Sequence, residues 1–118
     1  MKKMYHLAHC TTCQAIIKET GIDKLPVTFQ NIREEKITAA QLEEMKKLAG
    51  SYEALFSRRA LKYKEMGLKD RQLTEKDYRD LILQEDTFLK RPVTILGNRI
   101  FIGNDRKTVA ALKDALKP

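Results

Sequence analysis

Several features are scarce in this 118-residue chain, and each scarcity removes a class of protein. No apolar run approaches the roughly 20 residues that a membrane-crossing helix needs, so no spanning helix is expected. There are only two cysteines, both near the start, so the core is expected to hold without a framework of disulfides or metals. No internal repeat, low-complexity segment or long linker interrupts the chain, and at this length a single domain is expected. The opening MKKMYHLAHC carries two lysines, as a secretory leader would. Its apolar stretch is short, contains histidine and lacks a small-residue cleavage pattern, so the expected location is the cytoplasm.

What is present is an ordinary globular composition, 42% hydrophobic and 33% charged, with a basic balance. The net charge of +7 favours anionic partners. Lysine and arginine are spread along the chain rather than gathered into an arm, and no nucleic-acid motif accompanies them, so direct nucleic-acid binding is not expected.

The hydrophobic patterning gives an order of elements. MYHLA (4–8) reads as a short strand, Thr11 to Thr20 as a helix stopped by Gly21, and VTFQNI (27–32) as a second strand. Strand, helix and strand with short connections suggest a right-handed parallel unit. Thr38 and Gln41 have capping-box spacing ahead of a helix whose apolar stripe includes Leu42 and Met45 and which ends before Gly50. Further helices are expected from near Tyr52, over Ala60 to Met66, and over TEKDYRDLILQE (74–85) with Tyr78, Leu81 and Ile82 on one face. The period then changes. PVTIL and RIFIG flank Gly97-Asn98, a two-residue hairpin signal, and Val109, Leu112 and Leu116 mark a last helix. The expected fold is α/β: a four-stranded mixed sheet in the order β-α-β, helical insertion at roughly 38–90, β-hairpin, α, which is the order of a thioredoxin-like domain.

The two cysteines, Cys10 and Cys13, form a Cys-x-x-Cys pair at the turn from the first strand into the first helix. Free N–H groups and the positive end of the helix dipole converge there and stabilise a thiolate. Cys10 is therefore the expected nucleophile, and Cys13, one turn on, the expected resolving thiol. Thr11 and Thr12 keep the turn small, and Thr11 is a candidate helix cap. Two other readings stay open: both cysteines as small buried residues, or zinc held by His6, His9, Cys10 and Cys13. Against zinc, a strand turning into a helix spreads these four, and there is no second Cys-x-x-Cys or His pair. His9 either polarises Cys10 or simply occupies the turn. Arginine suits oxyanions because its planar fork makes two charge-assisted bonds at once. Arg91, just before Pro92, and the pair Arg58 and Arg59 are the candidates, the alternative being solvated surface charge.

YHLAHCTTCQAI, LFSRRALKYKEMGL and LKRPVTILGNRIFIGND occur in that order over nearly the whole chain, which thereby resembles the ArsC family: arsenate reductases and the related Spx regulators, of thioredoxin-like fold. The resemblance implies that Cys10 is the functional thiol, that Arg91 lies beside it before a cis Pro92, and that a middle-motif arginine binds the oxyanion or governs redox state. Alignment on Tyr63 favours Arg59 over Arg58 for that role. There are three departures from the family pattern. Gly103-Asn104-Asp105 replaces a Gly-Arg-Pro, leaving Arg106 as the remaining candidate for the lost arginine; Cys13 stands where the reductases usually have serine; and Gln14 replaces a basic residue. The resemblance implies a thiol-dependent oxidoreductase with no bound cofactor. It would act on a small oxyanion or oxidised thiol, with glutathione, glutaredoxin or thioredoxin as electron donor. The alternative is an Spx-like redox sensor that binds the C-terminal domain of the RNA polymerase alpha subunit.

Overall fold

A computed structural model of the chain describes residues 2–117. In chain order the elements are β1 (Lys2–His6), α1 (Thr11–Thr20), β2 (Thr28–Asn31), α2 (Ala39–Ala49), α3 (Leu61–Glu65), α4 (Glu75–Gln84), β3 (Val93–Leu96), β4 (Arg99–Ile102) and α5 (Arg106–Ala115). They fall into two compact units, one of Met1–Glu35 with Arg91–Pro118, the other of Lys36–Lys90.

The first unit is built on a mixed sheet of order β2-β1-β3-β4. β1 runs parallel to β2, to which α1 is the crossover, and antiparallel to β3, which returns as β4. The hairpin turns at Gly97, whose φ of +64° is open to glycine at no steric cost. Because no other residue type among those described has positive φ, glycine occupies the first turn position, as a type II′ turn requires. Met4 and Phe101 lie on the same face of the sheet, in register with Thr94 between them. Against them pack Ile16 of α1 and Val109 and Leu112 of α5, with Ile22 closing the cluster. The spacing of three between Val109 and Leu112, and between Cys13 and Ile16, places one buried stripe on each helix.

β1 begins and ends two residues before the expected 4–8. Lys2 and Lys3 enter the strand because Leu96 and Ile95 pair with them. At the other end Tyr5 pairs with Val93, and Pro92 beyond it has no N–H to extend the ladder. Leu7 to Cys10 therefore form a turn, closed by the Cys10 N–H donating to the Leu7 carbonyl at 3.1 Å.

In the second unit, α2 starts with the expected capping box: the Gln41 N–H donates to the Thr38 hydroxyl (3.1 Å) and the Thr38 N–H to the Gln41 side-chain carbonyl (3.2 Å). Thr74 and Asp77 make a second box on α4. The helix expected from Tyr52 is instead a three-residue 3-10 turn, Glu53–Leu55. Its leading Tyr52 and Glu53 N–H groups are taken by the Glu75 carboxylate at 2.7 and 3.0 Å, and at Phe56 the chain turns extended to bridge Leu89. Phe56 stacks on Phe88 and tilts against Tyr78, so aromatic packing supplies much of this unit's core. Among the described residues no helix is long and apolar enough to cross a membrane.

Candidate functional site

Cys10 itself is the N-cap of α1. This corrects the expectation for Thr11, which is the first helical residue and exposed, so the capping position before it falls to the cysteine. With extended backbone (φ −80°, ψ 114°), Cys10 turns Sγ back over the helix end, where it accepts the Cys13 N–H at 3.5 Å. Partial burial pushes the Cys10 thiol up. The N–H groups of Cys13 and Thr12, the Cys13 thiol and the positive charge of Arg91 together outweigh burial, and its pKa lies below the ordinary thiol value. Cys13 is the reverse case. Fully buried, it is pushed up to about 11, chiefly by burial, with Cys10 adding to the shift. Two free thiols one helical turn apart are thus displaced in opposite directions.

The Cys10 turn forms one wall of an open cleft of about 480 Å³. Leu7, Ala8, His9, Cys10 and Thr11 line it from the turn, Arg91 from the segment before β3, and Asn31, Arg33 and Glu34 from the end of β2. The reason is topological. His6 and Asn31 are register partners in parallel strands, so the segments leaving β1 and β2 emerge at the same end of the sheet. Asn31, Arg33 and Glu34 were not anticipated from sequence, although the parallel unit itself was. The usable signal was that whatever follows the second parallel strand must share the end of the sheet with the cysteine turn.

Arg91 and Pro92 join the site through a cis peptide bond. The Asn104 amide donates to the Arg91 carbonyl at 3.2 Å and the Gly103 N–H to the Pro92 carbonyl at 2.9 Å, so this segment braces the backbone beneath Arg91. Arg106, the remaining candidate for the missing arginine, is paired bidentately with Glu19 at 3.1 and 2.9 Å and does not line the cleft. Gln14, on α1, reaches back to the Ala8 carbonyl at 2.7 Å.

His9 lines the cleft, whereas His6 sits edge-on to Phe29 at 5.5 Å, with burial lowering its pKa. Among the described residues no three His, Cys, Asp or Glu side chains gather into a potential metal site. Arg58 and Arg59 belong to the second unit. There Arg58 donates to Glu53 at 2.8 Å and to the Tyr78 hydroxyl at 2.9 Å, while Arg59 is exposed.

A sequence model of the ArsC family matches residues 5–112. Solved structures of the same fold include a protein from Yersinia pestis described provisionally as an arsenate reductase, at TM-score 0.78 and 18% identity over 94% of this chain and 99% of its own. An arsenate reductase from Vibrio cholerae gives TM-score 0.78 and 16% identity over 94% and 96%. An arsenate-reductase-related protein from Brucella melitensis gives 0.71 and 19% over 93% and 92%. No curated protein sequence matches the chain significantly.

Proposed function

The chain belongs to the ArsC family, and from that membership we propose that it is a thiol-dependent oxidoreductase in which Cys10 attacks and Cys13 resolves. The observation that carries this reading is the placement of the two thiols: Cys10 caps α1 and lines the cleft with Arg91, while Cys13 lies fully buried one turn along, and the two are displaced in opposite directions accordingly. Cys10 is lowered at the helix end beside Arg91, and Cys13 is held as a thiol beneath it. A nucleophile needs thiolate at neutral pH, whereas a resolving thiol must stay protonated until an adduct exists.

With arsenate as substrate, the Cys10 thiolate forms a sulfur–arsenic bond and an arsenic oxygen leaves as water after protonation. Cys13 then gives up its proton and attacks Cys10 Sγ. The sulfur–sulfur bond forms, the sulfur–arsenic bond breaks, and its electron pair stays on arsenic, which leaves as arsenite. Consumption of the Cys10 charge in the first step removes one of the causes that hold Cys13 protonated, so the second thiol is released when it is needed. Arg91, which lines the cleft with Cys10, stabilises the oxyanion. An oxidised thiol substrate follows the same two exchanges with sulfur in place of arsenic. No cofactor is held; glutathione, or a cytoplasmic glutaredoxin or thioredoxin, returns the two electrons.

Steady-state arsenate reduction, with glutathione plus glutaredoxin and with thioredoxin supplied separately, tests the proposal. Sustained turnover dependent on Cys10 is expected with one donor. Absence of turnover on arsenate and on small disulfides, with binding to the RNA polymerase alpha C-terminal domain, would instead place the chain with the Spx-like switches.

A further inference from the structure

The turn that presents Cys10 has no turn-forming residue of its own. Leu7 to Cys10 close on the 3.1 Å bond from the Cys10 N–H to the Leu7 carbonyl, and the two central residues are Ala8 and His9. Glycine, proline, asparagine and aspartate hold such turns by local conformation or self-bonding, and none is present here. The restraint comes from outside the turn. Asn31 Oδ1, on the last residue of β2, accepts the Ala8 N–H at 3.3 Å, and Gln14 Nε2, on α1, donates to the Ala8 carbonyl at 2.7 Å. Both backbone groups of one exposed residue are thus gripped by side chains from two different elements. Asn31 Oδ1 also accepts the Arg33 N–H at 3.5 Å, so one oxygen ties the cysteine turn to the facing wall of the cleft.

We propose that Asn31 and Gln14 are positioning residues that clamp Ala8 from both sides and so hold Cys10 Sγ over the amino end of α1. The role follows from leverage. Ala8 is two residues from Cys10, and Sγ meets the helix end through the 3.5 Å hydrogen bond from the Cys13 N–H, so a rotation of the turn that carries Cys10 moves Sγ relative to that donor. Neither residue touches substrate in this scheme; each acts on the thiol through the backbone. The inference rests on Cys10 being the reactive thiol.

The test is the pH profile of Cys10 alkylation by iodoacetamide, resolved from Cys13 by peptide mass spectrometry, in the full chain and in Asn31→Ala, Gln14→Met and the double variant. Both substitutions are neutral and leave the charged or titratable groups around the cleft in place: His9 and Cys13 on the cysteine's own segment, Arg33 and Glu34 after β2, and Arg91 before β3. Each single variant is expected to raise the midpoint by about half a pH unit, which lowers the thiolate present at neutral pH about threefold. Thr38→Ala, which removes a helix cap elsewhere, is the control: it should lower the melting temperature and leave the midpoint alone. Variants that melt earlier but keep the wild-type midpoint would overturn the clamp and leave the proposed function standing. A wild-type midpoint at the ordinary thiol value would overturn that function, and the clamp with it. If Asn31→Ala fails to fold, Gln14→Met, altered at an exposed helix position, decides alone.

Discussion

Cys10 and Cys13 are the same residue type in the same helical turn, yet they differ in the two variables that set thiol chemistry, access and stabilisation of charge. If Cys10 attacks and Cys13 resolves, Cys13→Ser should accumulate one glutathione adduct under mild oxidation, because the intramolecular exit is blocked. Cys10→Ser should take up little or none, since the remaining thiol is buried and held protonated. Intact mass spectrometry reads both outcomes, and equal trapping would remove the distinction. Arg91 makes a second residue-scale prediction. Arg91→Lys keeps the charge but loses the planar fork, and kcat/KM for arsenate should fall by roughly tenfold or more, as a bidentate contact becomes a point charge. Of the residues around the thiol, Cys10 and Cys13 are legible from side-chain type and spacing, and Arg91 only through the family resemblance. Asn31 and Gln14 are not, because asparagine and glutamine carry the same signal in any solvated position and become informative only when a backbone group faces them.

At the scale of elements, local rules succeed where the determinants are contiguous. Helix α2 is bounded by a capping box and a glycine stop, both readable within a dozen residues, and it forms over Ala39–Ala49. Thr38→Ala should therefore destabilise by about 1 kcal/mol, measured by urea unfolding, since one orphan N–H loses its acceptor. Local rules fail where a distant residue decides. The segment after Tyr52 has helical character, but the Glu75 carboxylate binds its leading N–H groups from 22 and 23 positions away, and the chain makes one 3-10 turn before turning extended. The position of β1 is another such case: two lysines at its start look unlike a strand until Ile95 and Leu96 pair with them.

For the molecule as a whole, burial of Cys13 has a consequence for alkaline stability. A thiol with raised folded pKa stays protonated in the native state while the unfolded chain has already lost its proton. Its stabilisation is complete below the ordinary value of 9.0 and is lost as pH rises toward about 11. The Cys10 shift has the opposite sign, and its contribution is complete above the ordinary value, so it does not cancel the loss in that window. Wild type should accordingly lose stability relative to Cys13→Ala between about pH 9 and about pH 11, read as converging urea midpoints. Sequence alone determined the order of the strands, the hairpin glycine, the Thr38–Gln41 cap and the Cys-x-x-Cys spacing at the start of the first helix, because each is set by neighbours within a few positions. Tertiary structure decided which segments meet at the thiol. Residues 31–34 reach the cysteine turn only because β1 and β2 are parallel neighbours, and Arg91 only because β3 lies on the other side of β1. Those adjacencies are made by hydrogen-bond ladders between residues more than twenty positions apart, and no local pattern records them.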